Sequence, residues 1–210
     1  MRLCGPIARI ADVTAPRSRA EQKRHTRALI VDAGRRAVAS RGFSSLAVRE
    51  LAREAGIVPT AFYRHFESVD DLAAELAAGA ADALGGLVDQ LVADPTDDPA
   101  ADWPHRASAA AAENPQTWSV LARGLVDTAH PEHRGLSSAV DASRRRIGIT
   151  LGRLESLSGA DGSAVDVAAD LVVVVLIRHL MSVADGDDPR STDADSTARL
   201  RVILAGAAAQ

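Results

Sequence analysis

Cysteine is almost absent: the single one, Cys4, lies near the start of the 210-residue chain, which excludes an internal disulfide and a cysteine-ligated zinc site. A reducing cytosol is the expected location. Aromatic residues make up only 3% of the sequence, yet 47% of it is hydrophobic and 25% charged, enough apolar material for a core and too much for a disordered chain. Long apolar runs are missing too. The longest, Leu171 to Ile177, has seven residues, against the roughly 20 of a membrane helix, so no membrane partner is expected. Residues 1 to 16 lack the unbroken apolar stretch of a signal peptide, because Gly5, Pro6, Arg9 and Asp12 interrupt it, and this stretch is expected to be a disordered arm. Catalytic signatures do not occur: there is no phosphate loop, no Gly-x-Ser-x-Gly and no evident nucleophile–base pair, so an enzyme is not expected. His130 and His133 flank Pro131 without a third ligand, and Asp185 to Asp188 lack a calcium loop's spacing, so neither metal nor other cofactor is expected.

What is present is a division of charge. Residues 17–66 hold eleven Lys and Arg against four acids, a net +7, whereas residues 67–210 carry −12. A cationic segment beside an anionic remainder points either to a polyanion partner for the first part or to a basic helix solvated for its own sake. Four of the six aromatic residues, Phe43, Phe62, Tyr63 and Phe66, fall in the cationic segment.

Apolar residues recur at three- and four-residue spacings and strand-type alternation is nearly absent, so the chain reads as all-α. A first helix is expected over Arg19–Ser40, with Leu29, Ile30, Ala33, Ala37 and Val38 on one face and Gly42 as its stop. Ser45 is placed to cap a short second helix carrying Val48, Leu51, Ala52 and Ala55, and a short third helix opens at Pro59. Ser68 and Asp71 resemble a capping box for a long fourth helix to about Val92. Further helices are expected over 100–113, 115–127, 132–157, 163–184 and 196–208, with an acidic loop over 185–195 between the last two. The run Leu171 to Ile177 is apolar on nearly every side, so it reads as central core that also faces a second copy of the chain.

Within this layout, Val48 to Phe66 has the spacing of a helix-turn-helix: an amphipathic helix, a tight turn at Gly56 and a short helix. Leu51, Ala52, Ala55, Ile57, Phe62 and Phe66 read as inward. Thr60, Ala61, Tyr63, Arg64 and His65 read as outward, with the small pair able to approach base edges and Tyr63 and His65 able to donate to phosphates.

The stretch AGIVPTAFYRHFESVDDL resembles the N-terminal signature of TetR-family transcriptional regulators, over about residues 20–76. The resemblance implies a helix-turn-helix DNA-binding domain over 17–67 and a helical-bundle domain over 68–210 that binds a ligand and dimerises through the last two long helices. It makes Arg49 a phosphate or base contact, puts Val58, Pro59, Thr60 and Ala61 at the groove, and puts Tyr63 and His65 on the DNA backbone, with Arg64 and the basic stretch Arg17 to Arg27 in support. Ala47 and Val69 depart from the family, which commonly has Thr or Ser at the first and Lys at the second, so fewer phosphate contacts are implied. RAEQKRHTRALIVDA together with SSLAVRELAREAGIVPTAFYRHFESVDDL is similar to the subgroup that regulates unsaturated fatty-acid synthesis and acyl desaturation.

That likeness implies a repressor of lipid-metabolism genes that binds a near-palindromic operator as a homodimer and senses a fatty acyl-CoA or fatty acid. Trp103, Trp118, Leu121, Leu125, Val172, Leu176 and Met181 are candidates to line the pocket, with His105, Arg123 and His179 for a polar head; each also reads as ordinary core or surface. Another hydrophobic compound or a drug is the alternative ligand. A helical module whose basic lobe docks an acidic protein is the alternative function.

Overall fold

A computed structural model describes residues 18–93, 96 and 98–210. The expected N-terminal arm lies outside the described residues. Nine α-helices and two 3₁₀ turns make up the described part, which contains no strand. The β-branched run Val172 to Val175 is helical, because its neighbours on both sides carry helix periodicity.

Helix α1 (Arg19–Arg41) is capped by the Ser18 side chain, which accepts the Glu21 amide at 3.1 Å, and it ends at Gly42, where φ is +84°. Its buried stripe is Ile30, Val31, Ala33, Gly34, Ala37 and Val38. Leu29, expected on that face, is 37% exposed because it sits about 100° round the helix from Ile30. The expected Ser45 cap is also corrected. Phe43–Ser45 form a 3₁₀ turn, the Ser45 hydroxyl donates to the Gly42 carbonyl at 2.7 Å and lies 3.2 Å from the Ala37 carbonyl, and α2 (Val48–Glu54) starts after Ala47 without a side-chain cap.

Helix α3 (Pro59–Phe62) opens on proline as expected. Helix α4 (Val69–Ala93) is started by a reciprocal pair of bonds in which Ser68 N–H donates to the Asp71 carboxylate and Asp71 N–H donates to the Ser68 hydroxyl. Helices α5 (Pro99–Glu113) and α6 (Pro115–Val126) each begin on proline at a first-turn position.

Two boundaries differ from expectation. Helix α7 (His133–Leu151) stops at Gly152, a poor helix former, and Glu155–Leu157 are a separate 3₁₀ turn, so the helix does not reach 157. After α8 (Gly162–Ala184), α9 (Pro189–Ala208) begins seven residues before the expected Ser196. Asp188 caps it through the Ser191 amide and Pro189 fits its first turn, while its polar first half gives no apolar stripe to read.

In the bundle, α4 packs mainly on α6 and α7, α8 on α5, α6, α7 and α9, and α1 on α6. Helices α4 and α8 are long and apolar enough to cross a bilayer by length and composition, although polar residues interrupt the apolar run in each. Each buries one face in the bundle, with Leu72, Leu84 and Leu91 of α4 and Val172, Leu176 and Leu180 of α8, while Val167, Leu171 and Val174 of α8 stay exposed.

Candidate nucleic-acid interface

The turn between α2 and α3 is built by two backbone bonds. Ile57 N–H reaches the Ala52 carbonyl at 2.9 Å and Gly56 N–H reaches the Arg53 carbonyl at 3.3 Å, the Schellman pattern, and Gly56 takes the left-handed φ of +68° this requires. Val58 is extended, as a residue before proline should be, and α3 follows immediately. Leu51, Ala52, Phe62 and Phe66 are buried, and the Phe62 and Phe66 rings stack with centroids 5.6 Å apart. Removing Phe62 from water contributes about 1.5–3 kcal/mol to holding α3 across α2.

This packing leaves one side of α3 bare. Val58 and Tyr63 are 64% and 60% exposed, and Pro59, Thr60 and Arg64 are exposed with them. Ala61 and His65 are half-buried, not fully outward as expected, since the chain leaves the single α-helical turn through tighter bonds at Arg64 and His65. His65 Nδ1 is buried with no hydrogen-bond partner among the described residues. Loss of solvent, followed by the positive charges of Lys23, Arg27 and Arg64, holds the His65 pKa below its ordinary value.

Several cations nearby are occupied: Arg41 pairs with Glu50 at 2.8 Å, Arg36 with Glu54 at 3.7 Å and Arg35 with Asp32 at 3.3 Å. Lys23, Arg24, Arg49 and Arg64 enter no ion pair among the described residues, so the start of α1, the start of α2 and the end of α3 present uncompensated charge. Such groups suit phosphate oxygens. Arg27, one of the basic stretch expected to support them, is used internally. Its guanidinium lies 4.6 Å from the Phe66 ring centroid and makes a two-point ion pair with Glu75 on α4, which raises its pKa. Sequence reading missed Glu75, and nothing local signals a partner 48 residues away.

The residues expected to line a ligand pocket separate into groups. Trp103, Trp118, Leu121, Val172 and Leu176 are buried in the core; Trp118 Nε1 donates to the Ala110 carbonyl at 3.0 Å, whereas Trp103 Nε1 has no partner among the described residues. Leu125 and Met181 border an open groove of about 520 Å³ with Val140, Val174 and Ile177. His179 is inside a polar knot. Ser108 Oγ donates to Asp193 at 2.5 Å, which leaves it to accept from His179 Nε2 at 2.9 Å, while Ser196 Oγ donates to His179 Nδ1 at 3.0 Å. That assignment satisfies a neutral imidazole on both nitrogens and ties α5, α8 and α9 together. His105 is exposed beside Asp193 at 3.4 Å, and Arg123 Nε donates to the Ala39 carbonyl of α1 at 3.2 Å. No group of three His, Cys, Asp or Glu suited to a metal occurs among the described residues.

Comparison with known proteins gives this geometry a context. Residues 30–76 match the sequence model of the family described as bacterial regulatory proteins, tetR family. A stretch of 75 residues is 48% identical to an uncharacterized HTH-type transcriptional regulator of Haemophilus influenzae, covering 35% of each chain, so the match spans about a third of that relative. Among solved structures, a TetR-family transcriptional regulator from Streptomyces coelicolor superposes with a TM-score of 0.67 at 16% identity, over 88% of this chain and 97% of that one. The ketosteroid transcriptional regulator KstR2 of Mycobacterium tuberculosis gives 0.63 at 18% identity over 86% and 93%, and AmtR of Mycobacterium smegmatis gives 0.60 at 22% over 87% and 92%. These likenesses show the fold. The family match is confined to the stretch that holds the helix-turn-helix, and the fold of TetR-family regulators extends along most of the chain.

Proposed function

We propose that this protein is a ligand-responsive repressor that binds a near-palindromic DNA operator as a homodimer. The observation that carries the reading is the bare side of α3, with Val58, Thr60, Tyr63 and Arg64 exposed, together with Lys23 and Arg24 on α1 and Arg49 on α2, which enter no ion pair among the described residues. Thr60 and Ala61 are small enough for a close approach to base edges, and the cations around them meet phosphates. For the dimer, Val167 and Leu171 are exposed one turn apart on α8, and Val202, 75% exposed on α9, lines the same open groove. Pairing these faces would remove apolar surface from water on both copies, and a palindromic operator would require the two α3 helices about 34–36 Å apart, one turn of DNA.

The effector proposed is hydrophobic, with a fatty acyl-CoA or fatty acid as the first candidate and lipid-metabolism genes as the target. The likeness of the N-terminal sequence to acyl-sensing regulators supports this, as does the apolar groove of Leu125, Val140, Val174 and Ile177 with Arg178 at its edge. A drug-like hydrophobic compound is the alternative. To reverse a 1:99 population, either must bind one conformation about 5.5 kcal/mol more tightly than the other.

Gel shifts on the DNA upstream of the protein's own gene, over a salt series, test the DNA reading. A retarded complex that weakens steeply with salt is expected; no complex at low salt, with or without lipid, would sink it and favour an acidic protein partner. Mass spectrometry of lipids retained on purification tests the effector, and a retained compact polar molecule would defeat the acyl assignment.

A further inference from the structure

Arg27 differs from its neighbours Lys23 and Arg24 on α1, which enter no ion pair among the described residues. Its guanidinium is engaged on two sides. One side lies 4.6 Å from the ring centroid of Phe66, a buried residue that stacks on Phe62 and so belongs to the packing that holds α3. The other makes the two-point ion pair with Glu75 of α4. A single side chain of α1 therefore touches both the end of the helix-turn-helix and the helix that follows it.

Helices α1 and α4 also meet at Gly34, where an added Cβ would stand 3.0 Å from Leu76 Cδ1 and 3.1 Å from Leu72 Cδ2. Packing of this kind brings two helices together but sets their crossing angle only to within about 15–20°. Arg27 lies two turns of α1 before Gly34, about 10 Å along the axis, and Glu75 stands in the same turn of α4 as Leu72 and Leu76. A swing of about 15° around Gly34 would displace Arg27 by about 3 Å, enough to break both bonds of its fork to the carboxylate. The apolar crossing supplies the contact, and the ion pair fixes the angle.

We propose that Arg27 is a positioning residue for operator binding, which rests on the DNA-binding reading. Its charge is matched by Glu75, so it does not serve as a phosphate contact. It fixes Phe66 and α4 against α1, and because α4 packs on α6 and α7, it fixes where α3 stands relative to the bundle and, in the dimer, to the α3 of the second copy. Lys23 and Arg24, one turn away on the same helix, are left to meet phosphates.

The double substitution Arg27→Gln, Glu75→Gln removes one positive and one negative charge and leaves the net charge unchanged. Gel shifts over a salt series compare it with the unsubstituted protein on the duplex from upstream of its own gene and on a shuffled duplex of the same composition. Affinity for the first falls about three- to tenfold, since the dimer carries the half-exposed pair twice, while affinity for the shuffled duplex and the salt slope are kept. A phosphate contact would instead weaken both duplexes and lower the slope by about 1 per copy. In a Cys4→Ser background with a spin label on Thr60→Cys, double electron–electron resonance of the dimer shows a broader spread of distances between the two α3 helices in the double variant. Full affinity of that variant for the upstream duplex, equal loss on both duplexes, a reduced slope or an unchanged spread would overturn the assignment. Absence of any complex with the unsubstituted protein would sink the DNA reading itself, whereas a complex that the variant forms equally well removes only the role of Arg27.

Discussion

The Arg27 guanidinium on α1 and the Glu75 carboxylate on α4 meet in a two-point ion pair that fastens the first helix to the longest one. Both side chains are more than a third exposed, at 42% and 36%, so solvent screens the pair. Glu75→Gln is therefore expected to lower stability by only about 0.2–1 kcal/mol, measured by urea unfolding. A loss well above that would show the pair to be more enclosed in solution than it is here.

Contacts to DNA should divide by chemistry. Arg64→Gln removes one phosphate-directed charge and should reduce the slope of log affinity against log salt by about 1, on any sequence. Tyr63→Phe should weaken all sequences alike with the slope kept. Thr60→Val, which changes the group facing the bases, should instead alter which operator is preferred, read by selection from a randomised DNA pool. Equal losses on every sequence for Thr60→Val would mean that α3 does not enter the groove.

Acid should destabilise the protein through two histidines. Loss of solvent is the first cause holding both His65 and His179 below their ordinary pKa of 6.5; for His179 it outweighs the opposing pull of Asp193 and the Thr192 backbone. The unfolded chain then takes up protons first, so their contribution is complete above 6.5 and is lost as pH falls through the window below it. Urea midpoints from about pH 7.5 to about pH 5.5 should fall, and His179→Gln should flatten the fall. An unchanged slope in that variant would mean His179 does not remain neutral in the folded protein.

Gly124 is a packing position. A Cβ there would stand 2.1 Å from Leu136 Cδ1 and 3.1 Å from Phe43 Cε2, both buried side chains. Gly124→Ala should cost about 1–3 kcal/mol by calorimetric melting, as overpacking does. At Gly34 the nearest atoms, on Leu76 and Leu72, are 3.0 and 3.1 Å away, so Gly34→Ala should cost less. The reverse order would show that α6 can shift on Phe43 freely.

Local chemistry made much of this legible before any coordinates. Gly42, Gly56, Pro59 and the Ser68–Asp71 pair announce their boundaries because each acts on backbone within four residues. Ser45 misled for the same reason, being a good cap whose hydroxyl is instead used by the carbonyls closing α1. The start of α9 was illegible because Arg190 to Asp195 carry no apolar stripe, and the helix there is held by its Asp188 cap and by Asp193 bonding across to α5. Arg27 with Glu75 and Arg123 with Ala39 are long-range meetings that only the packed bundle creates.

Phe43 lies near the N-terminal end of the sequence, yet its side chain is 2% exposed, its ring packs tilted with its centroid 4.9 Å from that of His130, and it abuts the space at Gly124. The head is therefore plugged into the body and not strung from it. Anyone exchanging heads between relatives to rewire operator choice would have to transplant this plug with its socket, or the hybrid would carry an oily knob with nowhere to go.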